Sequence, residues 1–219
     1  MKKTLTLLII CVIIATGCGP IVHYLAASLE GSIGGTDTAT FPFESTVDGF
    51  IVDTGNDRSF SSLSISTDRS YMGTSSLKLP CSYTGASPFN SGIIKKDYGA
   101  GPYIDLGGCT ITAYVFIPRA MYESEPDYAY GLVIFIQDIN WDWFQSDWQN
   151  TELAAEGIAG KWNKIEVYTG DLLLNEVTPY AGTDVRNWGV KVGQGDESPD
   201  YTGTVYIDSI TVNPAPAGI

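Results

Sequence analysis

Three tryptophans set among acids and amides are the residues of this sequence best suited to binding chemistry. Trp141, Trp143 and Trp148 follow an apolar run and are separated by Asp, Gln and Ser. In an extended backbone Trp141 and Trp143 lie on the same face, because alternate side chains point to opposite sides of a strand. Indole rings stack on flat apolar faces, and each contact contributes on the order of 1 kcal/mol. Sugar rings offer such faces with hydroxyls at their rims, so the segment predicts a carbohydrate-binding surface.

Tryptophans also fill protein cores, and this alternative applies differently along the chain. Trp162 opens a run that carries Ile165 and Val167, so we predict that it packs in the core. Core packing explains the 141–148 group less well, because the neighbouring side chains are polar. We therefore predict that at least two of those three rings line a ligand surface.

The histidine that many enzyme mechanisms require is missing from residues 24–219, which include the whole predicted domain. Serine and cysteine hydrolases and zinc sites use histidine, and the single histidine, His23, lies near the N-terminus. A glycosidase works with two carboxylates alone, and Glu123 and Glu125 form the acid-rich candidate. Pro126 follows them directly and predicts a solvated loop. The sequence predicts a protein that is not an enzyme, with a glycoside hydrolase as the lesser alternative.

The charge balance limits the classes of partner. The chain has 12 basic and 25 acidic residues and a net charge of −13. Nucleic-acid binding rests on lysine and arginine neutralising phosphates, so we predict no nucleic-acid partner. Adhesion to anionic lipid through surface charge is disfavoured for the same reason. Neutral, hydroxyl-rich ligands are compatible with this composition.

The N-terminus is organised as a targeting segment. Lys2 and Lys3 precede an apolar run from Leu5 to Ile14, which is too short to span a bilayer as a mature helix. The small residues that follow end on Cys18, and this arrangement resembles the bacterial lipobox, in which the cysteine is lipidated and becomes the new N-terminus. We predict a lipoprotein signal peptide over 1–17 and lipidation of Cys18. The expected location is extracytoplasmic, at a bacterial membrane, on the cell surface or the periplasmic face.

The remaining chain divides into a linker, one domain and a tail. Residues 18–39 are rich in Gly, Ser, Thr and Ala and predict a flexible tether. Residues 214–219 form a short Pro/Ala tail. Between them, 40–213 suits a single domain.

Two cysteines remain for the domain, because Cys11 leaves with the signal peptide and Cys18 takes the lipid. Cys81 and Cys109 each lie in or beside a predicted strand, in a compartment that permits disulfides. We predict a disulfide between them; the alternative is two buried thiols.

Short β-type runs punctuated by Gly, Pro, Asn and Asp fill the domain. In the clearest run, 110–117, Ile111 and Val115 face one way while Tyr114 faces the other. Many short strands with frequent turns predict an all-β fold, a two-sheet antiparallel β-sandwich or jelly roll. The predicted strands lie within 41–44, 50–53, 61–66, 75–79, 110–117, 132–138, 164–168, 188–192 and 204–212.

An ordered series of short motifs resembles the β-jelly-roll carbohydrate-binding modules, which are galactose-binding-domain-like. The resemblance covers about 40–212 and is greatest for modules attached to mannanases and other β-glycanases. Trp188 departs from it, at a position usually given to isoleucine. The motifs are Phe43-Glu44, Asp48-Gly49-Phe50, Tyr71 to Leu79, Asp105 to Gly108, Gly160-Lys161-Trp162, Val185 to Val190 and Gly203 to Ile210.

The resemblance implies two sites. Family members bind glycans on the concave sheet through aromatic and polar groups. Members also often hold a structural calcium ion, for which Glu44 and Asp208 match, with backbone carbonyls near 71–75 as further ligands. Tyr114 and Lys191 are added to the glycan site because they face away from the apolar sides of their strands. The implied glycan-binding residues are Trp141, Trp143, Trp148, Gln137, Tyr114 and Lys191.

These observations predict a lipid-anchored module that captures polysaccharide at the cell surface without catalysis. The expected ligand is a β-glycan such as mannan or glucan, and the expected partners are a membrane, through the lipid, and a glycanase or sugar importer acting on the same glycan. The alternative is a structural or adhesive surface lipoprotein that binds a protein partner.

Overall fold

The computed structural model describes residues 38–214 except 55–58, 85–89, 122–129, 151–159, 175–176, 181–182 and 195–199. The predicted signal peptide, the lipidation site Cys18 and nearly all of the tether lie outside the described residues. So do 215–219 of the tail and the acid pair Glu123 and Glu125. Among the residues that are described, no helix has the length and apolar character needed to cross a membrane.

Fourteen strands in the described residues form two antiparallel sheets that pack face to face, as the sequence predicted. Only two single 3₁₀ turns interrupt them, at Arg119–Met121 and Thr169–Asp171. The strands are β1 (Ala39–Phe41), β2 (Phe50–Val52), β3 (Ser64–Ser66), β4 (Ser76–Tyr83), β5 (Ser91–Asp97), β6 (Thr110–Ile117), β7 (Gly131–Asp138), β8 (Trp143–Gln145), β9 (Gln149–Asn150), β10 (Lys161–Tyr168), β11 (Leu173–Leu174), β12 (Thr178–Pro179), β13 (Val185–Gly193) and β14 (Tyr201–Asn213).

The first sheet has the order β10-β6-β14-β4-β3, with β1 paired to β14. The second sheet has the order β12-β11-β8-β7-β13-β5-β2, with β9 paired to β7. Each sheet turns one face to the shared core and one face outward, because side chains alternate along a strand. In β7, Leu132, Ile134 and Ile136 enter the core, whereas Phe135 and Gln137 lie on the outer face.

Trp188 is part of the core. It is fully buried, its ring lies 5.9 Å from that of Phe41 and 5.5 Å from that of Phe50, and its indole N–H donates to the Tyr98 hydroxyl at 3.4 Å. The aromatic side chain that departs from the family pattern therefore fills the interior between the sheets and does not touch the outer surface.

The prediction that Trp162 packs in the core is wrong. In β10 the inward positions are Asn163, Ile165 and Val167, so Trp162 falls in the opposite phase and lies half-buried on the outer face of the first sheet. Its ring packs edge-on against Phe116, with centroids 5.6 Å apart.

The predicted disulfide is also wrong: Cys81 and Cys109 are two buried free thiols. The sheet register explains why. Cys81 pairs with Gly203 in β14, whereas Thr110, next to Cys109, pairs with Asn213. The two thiols therefore lie at opposite ends of β14, roughly 30 Å apart, far beyond the ~7 Å between Cα atoms that a disulfide allows.

Candidate functional site

A parallel pair of aromatic rings occupies the outer face of the second sheet. Strands β7 and β8 pair so that Gln137 lies opposite Trp143. The Trp143 ring lies on the ring of Phe135, with centroids 4.1 Å apart and planes at 6°. Phe135 is fully buried beneath it, and the Trp143 indole N–H donates to Gln145 Oε1 at 2.8 Å. These contacts fix the Trp143 ring in one orientation.

Trp148 lies over two glycines that face each other across β7 and β13. A Cβ on Gly131 would come within 2.6 Å of the Trp148 ring, and one on Gly193 within 2.4 Å. The missing side chains therefore create the space in which the indole rests on the sheet backbone. Trp148 remains 46% exposed, so its ring is open to a ligand.

Trp141 lies in the turn between β7 and β8 and is 57% exposed. Its backbone φ of 70° shows that the segment is not extended there, so the strand alternation expected between Trp141 and Trp143 does not hold. The ring is instead positioned by Arg186, whose Cζ lies 3.9 Å from the ring centroid. Gln137 Nε2 donates to the Trp141 carbonyl at 3.1 Å and fixes the turn.

A β-bulge in β13 brings two polar residues beneath this turn. Arg186 and Asn187 together oppose the single residue Gln137 of β7. Val185 and Trp188 are three positions apart and would face opposite sides of a regular strand. The extra residue lets both enter the core. Asn187 Nδ2 donates to Gln137 Oε1 at 2.9 Å, so the Gln137 amide is used on both sides. Gln137 therefore orients its neighbours.

The three indoles follow one line along β7. We call Trp141, Trp143 and Trp148 the tryptophan row. They lie beside positions 137, 135 and 131 of β7, and the last two positions are roughly 13 Å apart at about 3.3 Å per residue. Lys191 lies between two of the rings, with Nζ 6.0 Å from the Trp143 centroid and 5.1 Å from the Trp148 centroid. The spacing suits an extended ligand of several units.

Tyr114 does not belong to this surface. It lies in β6, on the outer face of the first sheet, on the opposite side of the sandwich, and stacks on Tyr71 with centroids 3.6 Å apart. The hydrogen bond with Tyr71, with burial second, raises the pKa of Tyr114 to about 12. Alternation correctly placed its side chain away from the core, but alternation does not tell which sheet a strand joins.

Glu44 and Asp208 approach the same loop, 71–74. Asp208 is fully buried and accepts hydrogen bonds from the backbone N–H groups of Tyr71 at 2.6 Å and Met72 at 3.0 Å. Glu44 accepts from the backbone N–H and the hydroxyl of Thr74 at 3.0 and 2.7 Å. Burial raises the pKa of Asp208, and the charge of Glu44 raises it further. Within the described ranges, no group of three or more His, Cys, Asp or Glu could hold a metal ion.

A pocket of about 210 Å³ opens on the other side of the β7–β8 turn. Asp138 and Asp184 line it together with Phe144 and Tyr180, which belong to the core cluster. The carboxylate of Asp138 accepts from the backbone N–H groups of Asn140 and Asp142, at 2.8 and 2.9 Å. The Asp138 carboxylate thus lies on the pocket side of the turn, away from the outer face that carries the tryptophan row.

Sequence reasoning missed several residues of the site. Phe135 lies on the face of β7 opposite Ile134, and its position beneath Trp143 follows only from the pairing of β7 with β8. Gly131 and Gly193 carry no recognisable signal until Trp148 is placed over them. Arg186 and Asn187 share a face only because of the bulge.

Comparison with solved structures identifies the fold. The chain is similar to CBM27-1 of Caldicellulosiruptor saccharolyticus, solved in complex with mannohexaose, with a TM-score of 0.60 and 16% identity over 84% of this chain and 100% of that one. It is also similar to CBM28, a module specific for non-crystalline cellulose, with a TM-score of 0.54 and 13% identity over 78% of this chain and 89% of that one. No protein-family model matches the sequence, and no curated protein is significantly similar to it. The β-jelly-roll fold of carbohydrate-binding modules is confirmed.

Proposed function

We propose that this protein binds polysaccharide through the tryptophan row and has no catalytic activity of its own. The observation that carries the proposal is the support beneath each ring. Trp143 lies on Phe135, Trp148 on the glycine pair, and Trp141 on Arg186. Each indole is thus held in place while Trp141 and Trp148 stay about half exposed, at 57% and 46%. Rings supported in this way are ready to stack on sugar faces.

The expected affinity is modest and comes from several weak contacts. Each aromatic stacking contact contributes about 0.5–1.5 kcal/mol, so a ligand must cover more than one ring to bind usefully. The rings are fixed before the ligand arrives, which limits the entropy lost on binding. Lys191, between Trp143 and Trp148, is placed to donate hydrogen bonds to hydroxyls of a bound sugar.

The ligand class we propose is an extended β-glycan, such as mannan or glucan. Two observations support it. The row follows one strand, which suits the interior of a linear chain. In addition, one of the two structural neighbours, CBM27-1, was solved with mannohexaose, and the other, CBM28, is specific for non-crystalline cellulose.

The cellular setting is part of the same proposal. Cys18 carries the lipid, residues 18–39 act as the tether, and the domain presents its glycan site at a bacterial cell surface or periplasmic face. A surface module without catalysis would hold glycan for a glycanase or a sugar importer acting on the same polymer.

We also propose a structural calcium ion held by Glu44 and Asp208. Two carboxylates that approach one loop supply the hard oxygen donors that Ca²⁺ prefers. A cation beside a fully buried carboxylate would offset the cost of its charge. Backbone carbonyls of the 71–75 segment would have to complete the ligand set.

The decisive experiment measures glycan binding by calorimetry with the wild type and with Trp143→Ala. We expect the wild type to bind mannohexaose or cellohexaose, and Trp143→Ala to lose about tenfold in affinity. Trp162→Ala is the matched control, because it removes an indole from the outer face of the opposite sheet. Circular dichroism checks that both variants fold.

Three outcomes would contradict the proposal. Wild-type protein that binds no glycan but retains a protein partner from the cell surface would favour the adhesive alternative. Equal losses in Trp143→Ala and Trp162→Ala would show that the row has no special role. Reducing ends released from a glycan by the purified protein would show that it is an enzyme.

A further inference from the structure

One cation on the binding face is held in an unusual way. Arg186 stacks on Trp141 at 3.9 Å, and none of the ion pairs found in the described part of the chain involves it. The protein as a whole has 25 acidic residues against 12 basic ones, so carboxylates are plentiful. An arginine that forms no ion pair with a described residue of so acidic a protein retains its capacity to bind an external anion.

Arg186 and its neighbour Asn187 each have a buried polar atom without a hydrogen-bond partner among the residues that the structure describes. Arg186 Nε and Asn187 Oδ1 are both inaccessible to solvent, and neither forms a hydrogen bond within the described residues. Asn187 is only 1% exposed, and its Nδ2 is already used by Gln137. Buried donors and acceptors are normally satisfied, because leaving one unpaired costs about 1–3 kcal/mol. Arg186 Nε is thus a donor that no described residue satisfies, and the next residue in the chain carries an acceptor that none satisfies either.

Charge is distributed unevenly around this end of the tryptophan row. Asp138 and Asp184 line the pocket on the far side of the turn. On the outer face, Lys95 is already paired with Asp53 and Asp97 at 3.3 and 3.6 Å. Arg186, by contrast, forms no ion pair with a carboxylate of the described residues.

We infer that the Trp141 end of the row binds an anionic group carried on a sugar ring, so that the ligand is an acidic polysaccharide. This inference rests on the proposed function and specifies its ligand class. A planar guanidinium donates two parallel hydrogen bonds to a carboxylate or sulfate, and such charge-assisted bonds are about twice as strong as neutral ones. Trp141 stacks on one face of the Arg186 guanidinium and orients it. Trp143 and Trp148 stack on the sugar units that follow along the chain.

The test compares three hexasaccharides with one β-1,4 backbone. Mannohexaose is neutral, hexamannuronate carries a carboxylate in place of each primary alcohol, and mannohexaose sulfated at those alcohols carries sulfate. Binding is measured by calorimetry at low and at physiological salt. We expect at least one acidic ligand to bind about tenfold more tightly than mannohexaose at low salt, with the preference reduced at higher salt.

Arg186→Gln also removes the support beneath Trp141, so all three ligands should bind more weakly, but the acidic ligands should lose about tenfold more affinity than mannohexaose, which abolishes the preference. Arg186→Lys should retain part of it, because lysine keeps the charge but not the planar pair of donors. Arg69→Gln is the matched control: Arg69 stacks on Phe116 at 4.2 Å on the opposite sheet, so the same charge is lost from a similar stack. Whichever of the two acidic ligands is preferred identifies the anionic group.

The inference is overturned if the wild type binds mannohexaose at least as tightly as both acidic ligands. It is also overturned if Arg186→Gln weakens neutral and acidic ligands equally, since Arg186 would then serve only to position Trp141. In both cases mannohexaose still binds, and the proposed function stands. Failure to bind any of the three, together with failure to bind cellohexaose, would instead overturn both.

Discussion

Phe135 lies parallel beneath Trp143, with ring centroids 4.1 Å apart and planes at 6°. Neither residue alone would make a fixed surface: Phe135 is fully buried and Trp143 is half-buried above it. The pair arises because β8 turns back onto β7 and brings Trp143 opposite Gln137. A ring held flat from below leaves its upper face for a ligand.

Replacing Phe135 with leucine should therefore weaken glycan binding, although Phe135 lies beneath Trp143 and does not contact the ligand. Leucine keeps an apolar contact but not the flat surface, so Trp143 gains freedom that binding must remove. We expect a loss of about three- to tenfold in affinity, measured by calorimetry, and a blue or red shift in the tryptophan emission of the unbound protein. Phe144→Leu, in the core on the other side of the same hairpin, is the control. Equal losses in both variants would mean that hairpin stability, and not the ring pair, sets the affinity.

A methyl group added at Gly193 should displace Trp148. Its Cβ would lie 2.4 Å from the indole, closer than two such atoms can approach, so the ring must leave the backbone of β7 and β13. Gly193→Ala should reduce affinity for hexasaccharides about tenfold but have less effect on disaccharides that cover only Trp143. Gly203→Ala is the control, since it places a methyl group 2.2 Å from the Tyr201 hydroxyl on a strand of the first sheet. An unchanged hexasaccharide affinity would show that Trp148 is not part of the site.

The β-sandwich was predictable because most strands alternate apolar and polar residues clearly. Strand β5 was missed because Ile93-Ile94-Lys95-Lys96 puts one isoleucine and one lysine on each face, which cancels the alternation. The mistake about Trp162 has a similar local cause, whereas the mistake about Tyr114 comes from the sheet that its strand joins. Trp162 belongs to the outward phase of β10, and Tyr114 faces outward from the other sheet.

Pairing between distant strands is what the sequence could not supply. It places Gly131 opposite Gly193 beneath Trp148, and it separates Cys81 from Cys109 along β14. The bulge at Arg186 and Asn187 is equally invisible, because it depends on the register between β13 and β7. Residue types indicated a sugar-binding surface, but the surface itself is formed by these long-range pairings.

The two thiols of the folded domain should be inert. Burial raises the pKa of Cys81 to about 12 and raises that of Cys109 as well, so almost no reactive thiolate is present at pH 8. A domain beginning after Cys18 should therefore not react with a chromogenic disulfide reagent until denaturant is added. In denaturant, two thiols per chain should react. In the Cys81→Ala variant, one thiol per chain should react in denaturant. A denatured sample in which no thiol reacts without reductant would show that the disulfide exists.

Asp208 should make stability depend on pH and calcium together. Its folded pKa is raised above the ordinary value of 3.8, first by burial and then by Glu44. A carboxyl with a raised folded pKa binds its proton more tightly in the folded state, so it contributes stability at low pH that is lost as pH rises through the raised pKa. When a chelator removes calcium, the difference in melting temperature between the wild type and Asp208→Asn should change with pH. The wild type should become less stable relative to the variant as pH rises from about 4 towards neutral.

Calcium should remove this penalty, because a bound cation favours the charged carboxylate. At neutral pH we expect added Ca²⁺ to raise the melting temperature of the wild type by several degrees, the size that about 1–2 kcal/mol of binding free energy gives. Glu44→Gln should reduce the shift and Asp208→Asn should abolish it. Asp68→Asn, an exposed carboxylate paired with Lys78 on the same sheet, is the matched control and should respond like the wild type. A melting temperature that does not change with calcium at any pH, with the pH dependence intact, would show that the backbone N–H groups of Tyr71, Met72 and Ser209 hold the buried charge without a cation.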